Sequence, residues 1–112
     1  VDIQMSVPDI SIDADTSLPL GLIVNELVSN AFKYAFSETK DSILRIDLTL
    51  LKKSRVCLEI SDNGKGLPAD YDFENSNSFG MKLVNLLVKQ LKGSLEITNE
   101  NGLTFSISFA IE

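Results

Sequence analysis

The sequence predicts an α+β domain, a two-layer α/β sandwich whose mixed, largely antiparallel sheet carries its helices on one face. Three observations carry that expectation. Two long segments, from about Ser17 to Phe36 and from about Ser78 to Lys92, space their apolar residues as helices do. Several shorter segments alternate apolar and polar residues with a period of two, as half-buried strands do. The strands near each other in sequence are joined by hairpin-like turns, and their second faces are rich in Thr, Ser, Glu, Asp and Arg. One sheet face is therefore wet and the helices must cover the other.

Taken in order, Ile3, Met5 and Val7 and then Ile10 and Ile12 read as two short alternating segments, with Pro8-Asp9 between them. The first helix has Asp15, Thr16 and Ser17 as candidate caps and Pro19 in its first turn. Its core stripe is Leu20, Ile23, Val24, Leu27, Val28, Ala31 and Ala35. Leu44, Ile46, Leu48 and Leu50 form one strand; Lys52-Lys53-Ser54 turns the chain; Val56, Leu58 and Ile60 form the next. Residues 63–77 are rich in Gly, Asp, Asn and Ser, a long loop of the sort that is usually functional or disordered. The second helix should stop at Gly93 as its C-terminal cap. Leu95 and Ile97 then pair through an Asn101-Gly102 turn with the strand bearing Leu103, Phe105, Ile107, Phe109 and Ile111.

The 112 residues suffice for one core, so a single domain over residues 1–112 is expected. The net charge of −6, with lysines and arginines scattered, argues against a nucleic-acid or anionic-membrane surface. Cys57 is the sole cysteine, which excludes an intrachain disulfide and suits a reducing, cytoplasmic setting. The chain has no histidine, which removes the commonest zinc ligand and imidazole acid–base chemistry. No apolar run is long enough to span a membrane, so no direct insertion is expected. The chain opens inside what reads as a strand, and we expect a domain excised from a longer protein.

Three places hold polar residues that core packing does not explain. At about 100° per residue, Glu26, Asn30 and Lys33 share one flank of the first helix, beside the apolar stripe. A carboxylate, an amide and an ammonium so stacked suit a hydrated cation and a polyphosphate; they equally suit an ordinary solvated flank. Continuing the alternation of Val56, Leu58 and Ile60 turns Asp62 inward, where a carboxylate needs donors. Asn63-Gly64-Lys65-Gly66 follows, with glycines that allow close approach to a flat ligand, or a plain Asx turn. Ser76-Asn77-Ser78-Phe79-Gly80 opens the second helix, whose free N–H groups suit phosphate or simply a Ser78 cap.

Together and in this order the segments resemble the gyrase/chaperone/histidine-kinase/mismatch-repair ATPase superfamily, whose members share a Bergerat-type fold. Leu20 to Tyr34, containing Asn25-Glu26-Leu27-Val28-Ser29-Asn30, looks like its N box; Asp62-Asn63-Gly64-Lys65-Gly66-Leu67-Pro68 like its first glycine box; Phe79-Gly80-Met81-Lys82-Leu83-Val84 like its second. The nearest resemblance is to the ATP-binding catalytic domain of sensor histidine kinases with a short lid. It implies that Asp62 accepts the adenine amino group, Asn30 coordinates Mg²⁺, and Lys33 meets phosphates. Glu26 would polarise the attacking group, and Tyr34 would pack beside the adenine or sugar. Gly64 and Gly66 would let the loop pass the base, while Ser78 and Gly80 would leave the helix N-terminus open to phosphate. The sequence departs from the family in Ser76 and Ser78 where fuller boxes have glycine, in Tyr34 where many short-lid relatives have histidine, and in Gly102-Leu103-Thr104 where Gly-Thr is usual. The implied function is transfer of the γ-phosphoryl group of Mg-ATP to a histidine on a dimerisation domain, with a response regulator downstream. Two alternatives share the fold: a serine kinase of the anti-sigma-factor type, and a nucleotide-binding regulatory module without catalysis.

Overall fold

The computed structural model describes residues 2–8, 11–32, 42–64, 79–99 and 102–111. Its elements are β1 (Asp2–Ser6), α1 (Ala14–Asn30), β2 (Ile43–Leu50), a short 3-10 turn (Lys52–Ser54), β3 (Arg55–Asp62), α2 (Phe79–Gln90), β4 (Ser94–Asn99) and β5 (Leu103–Ala110). The five strands form one sheet in the order β1-β2-β3-β5-β4. β1 runs parallel to β2, and the other three pairings are antiparallel, as the hairpin reading requires.

Period-two alternation decides which side chains meet the helices. Leu44, Ile46, Val56, Leu58, Ile60, Phe105, Ile107 and Phe109 are buried on one face. Against them lie Ile23 and Leu27 of α1, Ala31 at its C-cap, and Met81, Val84, Leu87 and Val88 of α2. Thr49, Glu59 and Arg45 remain exposed on the other strand positions, so the second face is wet. The packed layer does not reach every strand. Ile3 and Met5 pair with Leu44 and Ile46 and so share their face, yet stay 50% and 66% exposed at the β1 edge.

Three expectations are corrected. The second opening segment is no strand: residues 11–13 lead directly into α1, and Ile10 lies outside the described residues. The reason is Asp13. Its extended backbone (φ −70°, ψ 167°) and its side chain, which accepts from the Thr16 N–H, cap the helix before Asp15, Thr16 and Ser17 are reached. Pro19 consequently sits past the first turn, inside the helix, where its missing N–H forgoes one backbone bond. Residues 33–36, the expected end of this helix, lie outside the described residues.

The third correction concerns the end of α2. The left-handed residue is Lys92, at φ 55°, not Gly93. Lys92 N–H donates to the Lys89 carbonyl and Gly93 N–H to the Val88 carbonyl, the paired bonds of a Schellman turn with Lys92 at its left-handed position. Gly93 answers to a different constraint. A Cβ there would stand 2.6 Å from the Ser108 carbonyl oxygen and 3.2 Å from the Phe109 Cβ, so glycine lets the turn lie against β5.

Candidate functional site

The last residue of β3 organises the described part of the site. Asp62 is half-buried and faces the helix layer, its register partner being Leu44 on β2. Gly64 N–H donates to Asp62 Oδ1 at 2.9 Å, closing an Asx turn. Leu103 N–H, from the start of β5, donates to the same oxygen at 3.3 Å. Two donors thus hold one oxygen of the carboxylate, while Oδ2 receives no hydrogen bond among the described residues. A carboxylate gripped on one side presents a fixed acceptor on the other.

The approach of β5 to Asp62 depends on Gly102. This residue has φ +115°, a left-handed backbone that side chains disfavour. A Cβ at Gly102 would also overlap the Asp62 carbonyl oxygen and lie 3.0 Å from Oδ1. The turn that brings the Leu103 N–H to the carboxylate is therefore closed to any residue with a side chain. Thr104 pairs with Ser61, on the face opposite Asp62. The side chain of half-buried Leu103, packed against the core, stands on the Asp62 side instead.

Asn63 steadies the same strand end. Its Oδ1 accepts from the Ile43 N–H at 2.8 Å, and its own N–H donates to the Ile43 carbonyl at 3.3 Å. The sequence places Asn63 in the glycine-box loop and Asn101-Gly102 in the final hairpin turn, and predicts neither contact with this strand end. The Asx-turn pattern of Asp-Asn-Gly signals that Asp62 binds the backbone locally. No sequence signal reports a donor 41 positions away.

The second cluster joins the two helices. Glu26 and Asn30 are half-buried and four residues apart on α1, on one flank as the spacing predicts. The Glu26 carboxylate lies against the opening turn of α2: a Cβ built on Gly80 would be 2.6 Å from Glu26 Oε2. The structure thus brings Glu26 to Gly80, and Asp62 to Gly64 and to Gly102 and Leu103. Lys33, Tyr34, Gly66 and Ser78 lie outside the described residues. Among the described residues no cluster of His, Cys, Asp and Glu could cage a metal ion. The single amide oxygen of Asn30 is a donor set that fits Mg²⁺, which keeps most of its waters and takes few protein ligands.

A family model described as histidine kinase-, DNA gyrase B-, and HSP90-like ATPase matches residues 15–112. Blue-light-activated histidine kinase 2 of Erythrobacter litoralis is 24% identical over 98 residues, spanning 88% of this chain and 28% of that protein. The sensor histidine kinase PdtaS of Mycolicibacterium smegmatis is 34% identical over 88 residues, spanning 75% of this chain and 17% of that one. The chain thus covers less than a third of either relative. Among solved structures, the histidine kinase domain of an Erythrobacter litoralis blue-light-activated kinase superposes with a TM-score of 0.92 at 23% identity, covering 98% of this chain and 51% of that one. With the family model matching residues 15–112, the chain belongs to the histidine kinase-, DNA gyrase B-, and HSP90-like ATPase family, as an ATP-binding catalytic domain of the kind found in sensor histidine kinases.

Proposed function

We propose that residues 1–112 form one domain that binds Mg-ATP and donates its γ-phosphoryl group to a histidine on a separate dimerisation domain, from which a response regulator is served. The observation that carries this reading is the Asp62 carboxylate, held through Oδ1 by two backbone N–H groups and with Oδ2 left to accept from an adenine amino group. Guanine presents a carbonyl at the same position and would be refused. Gly64 and Gly66 give the base room, and Tyr34 packs beside it or the sugar. Asn30 supplies one oxygen to Mg²⁺, and Lys33, Ser78 and Gly80 meet the phosphates at the N-terminus of α2. The cation neutralises phosphate charge, so the residues of this chain contribute mostly position.

In the transfer, a ring nitrogen of the acceptor histidine bonds to the γ-phosphorus. The bond from that phosphorus to the bridging oxygen breaks, and ADP leaves with its electron pair. Glu26, beside the reacting phosphate, accepts a hydrogen bond from the attacking imidazole and so raises its nucleophilicity. Calorimetry with ATP and GTP tests the reading: ATP binds, GTP does not, and Asp62→Asn weakens ATP by about one to two powers of ten, a charged hydrogen bond being worth ~1.5–3 kcal/mol. Equal affinity for both nucleotides, or no effect of the substitution, refutes it.

A further inference from the structure

Gly80 poses a question that its backbone does not answer. Among the described residues Gly102 is the glycine with positive φ, so Gly80 adopts a conformation open to any residue. Glycine is also the poorest helix former after proline, and Gly80 stands inside the first turn of α2. What sets it apart is its neighbour. The space that a methyl group would take is occupied by the Glu26 carboxylate, with Oε2 2.6 Å and Cδ 3.7 Å from the Cβ position. Ordinary contact begins near 3.5 Å. Gly21 on α1, by contrast, has nothing within 4 Å of its Cβ position.

We propose that Gly80 is a positioning residue for Glu26: its bare α-carbon is the seat that holds the carboxylate at the mouth of α2, and it acts on phosphoryl transfer through that carboxylate. The obstacle to a side chain at residue 80 is the far end of a flexible side chain rather than backbone. Gly80→Ala therefore folds, and what it changes is where the carboxylate points. Alignment of a reacting group is sensitive enough for a displacement of about 1 Å to cost on the order of a hundredfold in rate. The proposal rests on the role given to Glu26 above.

The test is a cycle of Gly80→Ala, Glu26→Gln and the double variant, in the full chain with a histidine-bearing dimerisation domain as acceptor. Gly80→Ala is expected to lower kcat by roughly ten- to a hundredfold while Tm stays unchanged. In the Glu26→Gln background, already slow, the same substitution should cost little more, because the group it displaces is gone. Equal losses in both backgrounds, or a loss confined to ATP affinity, overturn the pairing and leave the kinase reading standing. A Glu26→Gln protein as fast as the wild type removes the catalytic role of Glu26, and this proposal with it. Should the alanine variant misfold, the Gly80 amide resonance decides: it shifts in Glu26→Gln if the carboxylate sits there, and an unmoved resonance overturns the seat.

Discussion

A single missing side chain fixes the geometry around Asp62. At Gly102, left-handed φ and overlap with the Asp62 carbonyl both exclude a Cβ. Gly102→Ala should therefore lower stability by ~1–3 kcal/mol, the usual range for backbone strain of this kind. It should also weaken ATP binding, because the Leu103 N–H is drawn off the carboxylate. Thermal unfolding with a parallel nucleotide titration checks both, and an unchanged Tm contradicts the account. Asn30→Ala should separate the metal from the base: affinity for ATP with Mg²⁺ falls, while affinity for metal-free ADP holds. The reverse order in the two titrations would mean that Asn30 is not a metal ligand. Asp62 could be read from the sequence because strand alternation turns it inward. Its anchor at Leu103 could not, because the bond joins strands whose pairing is set only when the sheet closes.

At the level of elements, apolar periodicity located both helices, and short polar interactions decided where α1 begins and α2 ends. Asp13 opens α1 because its carboxylate is the first that reaches a free N–H, that of Thr16 at 2.9 Å. Asp13→Ala should cost ~0.5–2 kcal/mol of stability, read by chemical denaturation at unchanged m-value; no change in midpoint would reassign the cap. A mild loss of ATP affinity is not expected, since the cap lies at the opposite end of the helix from Asn30. At the end of α2 glycine was the right residue in the wrong role. Lys92 accepts the left-handed conformation and Gly93 yields space to β5, a distinction that depends on the neighbouring strand.

For the whole molecule the sharpest consequence is negative. The chain contains no histidine, so by itself it holds no residue that can become phosphohistidine. Incubated with labelled ATP and Mg²⁺, it should bind nucleotide and stay unlabelled. A cognate dimerisation domain added in trans should take the label weakly, since no tether raises the effective concentration. That label should be acid-labile and base-stable, as a phosphoramidate is. Acid-stable label on a serine would favour the anti-sigma type of kinase, and no transfer despite tight ATP binding would favour a regulatory module.

What the sequence by itself determined is what periodicity and local chemistry encode: two helices, a largely antiparallel sheet with one wet face, an inward Asp62, and a polar flank with Glu26 and Asn30 four residues apart. These follow from bond geometry repeated along the chain, which every residue reports locally. The tertiary structure alone decided that β1 joins the edge parallel to β2, that Leu103 completes the grip on Asp62, and that Gly80 lies under the Glu26 carboxylate. Each of these joins residues distant in the chain. Such contacts depend on how the helices and strands pack together, and packing is a property of the assembled core that no local pattern contains.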